Sequence, residues 1–564
     1  MAAGPEVTER GRVVGLDRAP FAVFVVFGVP ALIAVSAVLV WWAVALLGAA
    51  GLLVMTVPVR GKTGPRRLGE WFRFRVGRRG RAHMLGADTD IADIDVPAGV
   101  CGMVLGRSTL VAMIQLAPDL DLPTIIAERT LYTEDTIPVD ALLQLLDQYG
   151  LGFDLDIVTT GRRTRAAGDY GVLYNQLIGS QPVVGERSTW LVVRLDQERN
   201  LTALRRRGPC EVSGPRALAG AAYRIANRLR EYGITARVLP AGALAEATRS
   251  LHTGVELDSL REQWSRMATP VAGRFVRTYA IDWTRLAHEG LDDCWRWHNG
   301  RTTVVIALSS TRSRVRGLVR FIGPEPEVEL PDYLRPLPGR QAIALLAGLP
   351  TAHSAHALPL DGVGDAELEH AAGLAIPIGP NGQIIGAIAN RPRHTLALPL
   401  VDPVRYHPRS RSVDIRSTLP IAQQIVLRAM VVGADVTVHT ARPHQWWPLV
   451  AAVADPRALR LAEGPADPGQ PASLEVFDQV PERGSGAATV LTIGDPGTTP
   501  RRSADLSIEQ VGESTVDIRI PMRTVRVDLI EPRGETRYFG SGTGPGPVGE
   551  RNTSAVLAPP VQGN

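Results

Sequence analysis

Lysine is almost missing from this chain: among 564 residues Lys62 is the only one, and every other basic side chain is Arg or His. A phosphate-binding P-loop needs a Lys to reach the terminal phosphates, so no such loop exists away from that residue. Gly61-Lys62-Thr63 mimics the end of one, but the Gly required five positions before Gly61 is Thr56, and no strand precedes it. Cysteine is equally scarce. Cys101, Cys210 and Cys294 lie far apart and form no CxxC or Cys/His cluster, so the spacing supports neither a zinc site nor a disulfide framework. They read as small packed thiols in a reducing compartment. His353, His356 and His370 match no zincin spacing, and no GxSxG elbow is present. The glycines from Gly540 to Gly546 lack the flanking strand and helix of a dinucleotide fingerprint.

The net charge is only +4, and it is unevenly placed. Residues Arg60–Arg81 hold nine basic residues and one acid, Glu70, a local charge of +8 that leaves about −4 for the remainder. That acidic remainder argues against nucleic-acid binding, although Trp295-Arg296-Trp297 interleaves aromatics with Arg.

Just before the basic stretch, Ala19–Val59 runs 41 residues without a charge. As one straight helix it would measure roughly 60 Å, about twice the hydrocarbon thickness of a bilayer. Two crossings joined by a tight turn fit instead, with Trp41 and Trp42 at the turn marking an interface; one span plus an interfacial stretch is the competing arrangement. The basic flank opposes translocation, so both termini and the large domain are expected in the cytosol of a multi-pass plasma-membrane protein. Within the collar, Arg66, Arg67, Trp71, Phe72, Phe74, Arg78 and Arg79 form the expected membrane-interface set. The segment either lies in the headgroup layer, rings down and guanidiniums on anionic lipid, or is a plain topology signal.

After residue 100 apolar periods of strand and helix alternate, which predicts an α/β soluble region following the N-terminal two-helix transmembrane hairpin. The expected organisation is a cytosolic segment at 1–18, the hairpin at 19–59, and a basic collar and linker at 60–99. A first α/β domain covers 100–323, a Pro-rich linker 324–338, a second α/β region 339–539 with a loose loop near 455–486, and a disordered tail 540–564. Pro138 and Gly150 bracket a helix carrying Leu142, Leu145, Leu146 and Tyr149. Ser213 is the expected cap of a long helix ended by Gly233, and Pro380-Asn381-Gly382 signals a hairpin turn.

Two places invite chemistry. Asp154-Leu155-Asp156 has the DxD spacing with which some glycosyltransferases hold a metal and a sugar nucleotide. DxD also recurs at Asp88/Asp90 and Asp119/Asp121, and the strand Phe153–Ile157 alternates, so the pair reads as a solvated strand face. Val413–Val432 has the strand–turn–helix order of a nucleotide-binding unit. Its turn, Arg416-Ser417-Thr418-Leu419-Pro420, has no Gly and no Lys, and reads as a scaffold held by Ile421, Ile425 and Val432. No catalytic, cofactor-binding or metal-binding residue is assigned.

The assembled features resemble the EccE family, the E component of the type VII (ESX) secretion systems of mycobacteria and related actinobacteria. The resemblance lies in the two-span start and basic collar, then Tyr170–Ile178, Ser188–Asp196, the helix Arg216–Tyr232 and Arg301–Val305. Ile421–Arg428, Asp435–Arg442 and Trp446 extend it, so that it covers most of residues 20–450. It implies a non-enzymatic structural subunit of a plasma-membrane complex that exports small helical effectors, tethering and organising its cytosolic parts. Implied partners are the B, C and D components, with the motor activity in the C ATPase, and no small-molecule substrate. The alternative is a membrane-tethered glycosyltransferase-like enzyme using Asp154 and Asp156.

Overall fold

The structure is a computed structural model. It describes residues 64–539 except 87–89, 128–129, 166–167, 253–254, 287–289, 298–299, 310–313, 326–328, 354–359, 361–364, 368–370, 372, 463–471, 483, 522 and 533. The expected hairpin at 19–59, with Trp41 and Trp42, and the tail at 540–564 lie outside the described residues. Among the described residues no helix is long and apolar enough to cross a membrane. The helices of seven or more residues are α1 (Gly64–Leu85), α2 (Gly168–Ile178), α3 (Cys210–Glu231), α4 (Ala241–Leu251), α5 (Gln341–Ala347), α6 (Leu419–Val431) and α7 (Pro443–Val453).

Two large sheets carry the molecule, which is mixed and sheet-rich. The first has thirteen strands, and its centre runs Gly99–Leu105, Thr109–Ala117, Glu186–Asp196, Asp154–Arg162, Arg301–Ser309, Arg314–Gly323 and Phe275–Ile281, all antiparallel. Antiparallel sheets often leave one face to water, but here all nine residues of Thr109–Ala117 are buried. Successive side chains point to opposite faces. Leu110, Ala112, Ile114 and Leu116 join Leu218, Ala222, Ile225 and Leu229 of α3 in one core. Val111 and Met113 join Leu85 of α1, Leu244 of α4 and Leu345 of α5 in another. Covering both faces removes the polar alternation that marks a half-wet strand.

The Pro-rich stretch expected as a linker contributes Leu334–Pro336, which pairs with Phe275–Ile281; α5 and Asp365–Glu367 beyond it still belong to the first sheet. The helix expected between Pro138 and Gly150 is only Val139–Leu143, and Tyr149-Gly150 is the turn between two short strands, Asp147–Gln148 and Leu151–Gly152. Ser213 lies inside α3, which starts at Cys210 after Pro209, and its hydroxyl bonds the carbonyl of Leu204.

The second sheet has twelve strands. Leu459–Leu461, Val436–Thr440, Leu474–Asp478, Thr489–Gly494, Arg411–Arg416 and Leu506–Gln510 are mutually parallel. Thr515–Ile520, Arg523–Leu529, Gln383–Ile388 and Arg391–Leu398 continue it antiparallel. Within the stretch expected as a loose loop, Leu474–Asp478 is a buried strand in the middle of the parallel part. Pro380-Asn381-Gly382 does not turn a hairpin: the strand before it pairs with Thr136–Pro138, and the strand after it lies in the second sheet. Gly382, at φ +79°, lies under the backbone of Leu398 and Pro399, where no Cβ fits.

The halves are interlocked. Thr124–Ala127 and Thr130–Tyr132 complete the edge of the second sheet, and Tyr170, Tyr174 and Ile178 of α2 lie in its core. Asn381 takes the Val184 amide on Oδ1 at 2.8 Å and gives its own amide to the Val184 carbonyl at 2.9 Å. Nearby, Asp135 accepts the Gly379 amide on its carboxylate and the Ile378 amide on its carbonyl, both at 3.0 Å.

Glu535 is fully buried. It receives the Tyr170 hydroxyl at 2.6 Å, the Gln424 amide at 2.8 Å and the Arg428 guanidinium at 2.8 and 3.1 Å. Arg428 also donates to the carbonyls of Ile384, Ile385 and Ile530. Glu535→Ala should destabilise the fold by about 3–5 kcal/mol, because the guanidinium stays buried without its carboxylate. The double change Arg428→Met with Glu535→Leu should recover most of that loss. Thermal midpoints of the three proteins decide it, and an unchanged midpoint for Glu535→Ala would refute the lock.

Burial pushes the Asp135 carboxyl up to about 6, partly offset by the backbone amide bonds it accepts. Folding therefore takes up a proton between roughly pH 4 and 6: the stabilisation is complete below pH ~4 and lost as pH rises through about 6. Asp135→Asn should raise stability near pH 7 by about 2 kcal/mol and flatten the slope between those pH values. A slope that persists in the variant would assign it to another group.

Candidate functional site

Three places hold the residues singled out by sequence. On α1, a helix turns 100° per residue, so rings at positions 72 and 74 point in nearly opposite directions. Phe74 faces inward, 8% exposed, edge-on to Trp264 at 5.4 Å and beneath the Arg81 guanidinium at 5.1 Å. Arg81 is fixed by Glu262 at 2.6 Å. Trp71, Phe72 and Val76 are exposed on the outward side with Arg73, Arg75, Arg78 and Arg79, and Arg75 stacks on Trp71 at 5.6 Å. Arg66 and Arg67 lie in the first turns of the same helix. The alternating spacing that suggested rings on one side is split between two faces by the helical period.

The DxD pair lies on Asp154–Arg162, a strand buried along its centre. Asp156 is 5% exposed, which corrects the solvated-face expectation: this strand is packed on both sides and has no wet face at that position. Arg194 binds its carboxylate at 2.9 Å and donates to the carbonyls of Thr351 and Leu349 at 2.6 Å. Burial still raises the Asp156 acid above the ordinary carboxylate range against the pull of Arg194. Asp154 is held by Arg199 at 3.0 Å and by the Ser309 hydroxyl at 2.8 Å. The adjoining cavity, about 130 Å³, is also lined by Arg316, His353 and Asp365, and Arg316 pairs with Asp365 at 2.8 Å. Among the described residues no three His, Cys, Asp or Glu converge as a metal site. A cation at Asp154 and Asp156 would first have to displace two guanidiniums, so the sugar-nucleotide alternative finds no support here.

Doubly wound sheets bind ligands at the carboxyl ends of their parallel strands. In the second sheet that edge is filled from within. Asp414, fully buried, takes both arms of Arg416 at 2.9 Å, the Thr492 hydroxyl at 2.8 Å and the Arg501 amide at 2.9 Å. Asp478 takes Arg442 at 2.9 and 2.7 Å, Trp446 Nε1 at 2.8 Å and the Thr440 hydroxyl at 2.8 Å. Burial alone would raise the Asp478 acid, but these donors hold it below the ordinary range. Where a phosphate would seek helix-start amides, the Thr418 amide is bonded to Gln510 and Pro420 has none to offer. Cys101 and Cys294 are buried, and burial pushes the Cys101 thiol up to about 12, away from reactivity.

Sequence reasoning missed Arg187, fully buried over the Trp295 ring at 4.9 Å, and Arg428; nothing in the local pattern separates a buried Arg from a solvated one.

Comparison with known proteins points the same way as the resemblance read from the residues. Residues 183–281 match the EccE family model, described as a type VII ESX secretion system translocon. The chain carries an EccE domain. It is 29% identical over 445 residues to the ESX-2 secretion system protein EccE2 of Mycobacterium tuberculosis, covering 74% of this chain and 77% of that one. To the ESX-1 secretion system protein EccE1 of the same organism it is 29% identical over 417 residues, covering 72% and 79%. Against the ESX-5 secretion system protein EccE5 of Mycobacterium marinum the match is 28% over 233 residues, 38% of this chain and 55% of that one. The EccE resemblance drawn from the residues thus holds. The EccE domain supplies the strands Glu186–Asp196 and Phe275–Ile281 with α3 and α4, so it contributes to both covering layers of the first sheet.

The two aspartates of the DxD pair separate cleanly by burial. Asp156→Ala should cost about 3–5 kcal/mol by stranding Arg194, whereas Asp154→Ala, at a quarter-exposed pair, should cost about 1 kcal/mol or less. Denaturation midpoints measure both, and equal losses would contradict the burial argument.

Proposed function

We propose that this chain is a non-enzymatic structural subunit of a plasma-membrane type VII protein secretion complex. In this reading it tethers and organises cytosolic parts of the assembly. The observation that carries it is the similarity to ESX secretion system proteins over about three quarters of the chain. The candidate chemistry agrees with a scaffold, since the Asp154, Asp156, Asp414 and Asp478 carboxylates are each engaged by an arginine of the chain itself. Its partners are then the other conserved components, B, the C ATPase and D, and turnover belongs to the ATPase. Proteins of this kind need no substrate pocket; they need surface and attachment.

Attachment falls to the uncharged run at 19–59 and to the outward face of α1. Trp71, Phe72 and Val76 offer apolar contact at headgroup depth, and Arg73, Arg75, Arg78 and Arg79 offer charge to anionic lipid. Both termini and the large domain face the cytosol, with the turn near Trp41 and Trp42 outside. Two measurements test this. The tagged chain, taken from native membrane in mild detergent, should retain the B, C and D components; recovery of the chain alone would sink the assembly role. A cysteine at the turn should react with an impermeant reagent in intact cells while one in the tail stays unlabelled, and the reverse pattern would invert the topology.

A further inference from the structure

A tight turn in the first sheet's surroundings is built with an unfavourable residue. Asp147–Gln148 and Leu151–Gly152 are joined by Tyr149 and Gly150, with φ +53° and +73°. Two positive φ values in a two-residue hairpin loop define the primed turn for which Asn-Gly or Asp-Gly is preferred. Tyrosine here is strained by its Cβ. Nor is its ring packed into the core: Tyr149 is 79% exposed, and the Arg224 guanidinium lies over its ring at 5.0 Å. The turn is held from behind, by Arg207 on the Tyr149 carbonyl at 2.7 Å and Arg224 on the Gln148 side chain at 2.7 Å.

Beside this ring runs an open groove of about 440 Å³, floored by the start of α3 and lined by Arg207, Val212, Arg216 and Arg224. Val212 is a second exposed apolar side chain, 47% exposed. Residues 205–224 carry five arginines and one acid, Glu211, for a net +4 in a chain whose remainder outside the membrane collar is acidic. Arg205, Arg206 and Arg216 are exposed. An exposed Tyr, a neighbouring apolar side chain and a ring of Arg is the composition of interface hot spots. The groove lies on the α3 side of the first sheet, whereas α1 packs on the opposite side. A bilayer meeting the aromatic and arginine face of α1 therefore does not meet this groove.

We propose that this groove docks an acidic segment of a partner protein. Its carboxylates meet Arg205, Arg206 and Arg216, and one apolar or aromatic side chain lies between Tyr149 and Val212. The proposal stands on charge complementarity and the displayed ring, and it does not depend on the secretion reading.

The test uses the full chain in phosphatidylcholine nanodiscs and a fluorescein-labelled peptide of repeated Glu-Glu-Leu, followed by anisotropy. Binding should saturate and weaken as salt rises. The triple change Arg205→Glu, Arg206→Glu, Arg216→Glu should weaken it at least about tenfold, since charges opposite the peptide become like charges. Tyr149→Asn is the discriminating variant. It should weaken binding about tenfold, while the melting temperature stays equal or rises, because Asn-Gly suits the turn. Absence of saturable binding, or equal binding by Tyr149→Asn and the native chain, overturns the proposal. So does a result in which the triple change abolishes binding of phosphatidylserine vesicles or of an oligonucleotide but not of the peptide.

Discussion

One buried ion pair, Arg428 with Glu535, pins the second core, and the Tyr170 hydroxyl ties the first half to it. Glu535 lies near the end of the described chain, Arg428 on α6 in the middle of the second sheet, and Tyr170 on α2, far earlier in sequence. A lone charge at such depth is intolerable, so each partner is obliged to be present once the other is. Arg428 meets the obligation by spreading its donors over Glu535 and three backbone carbonyls. Those carbonyls belong to the strand Gln383–Ile388 and to the segment after Arg523–Leu529, so the pair fixes where the antiparallel part of the sheet sits on α6.

That constraint explains why the halves are not separable beads. The first half lends α2 and the strands Thr124–Ala127 and Thr130–Tyr132 to the second core, and Asn381 and Asp135 bond across the same seam. The EccE domain at 183–281 is thus embedded in a larger unit whose edges come from elsewhere in the chain.

Arginine in place of lysine recurs at each site. A planar guanidinium with five donors can bind a carboxylate and several carbonyls at once, which an ammonium does less well in fixed geometry. Arg194 and Arg428 do both, while Arg416 and Arg442 each grip one carboxylate with two arms, and each of the four occupies a place where an incoming ligand would otherwise find a free carboxylate. Among the described residues, the outward side of α1 and the groove beside Tyr149 carry exposed arginines that no carboxylate of the chain grips in this way.

The sequence by itself determined the properties that depend on local spacing. The strand–turn–helix over Val413–Val432 follows from periodicity and from its Pro punctuation, and Arg411–Arg416 and α6 fall where that pattern places them. The EccE resemblance was legible because it rests on contiguous runs. Tertiary structure alone decided burial. Asp156 alternates with apolar neighbours just as a wet residue would, and only the layer packed over it makes it a core ion pair. Leu474–Asp478 sits in a Pro- and Gly-rich context that reads as loop, yet two neighbouring strands hold it in the sheet. Phe74 and Phe72 are chemically alike, and the phase of α1 against Trp264 alone sends one inward and the other out. Pairing partners and covering layers are distant in the chain, so no local pattern encodes them.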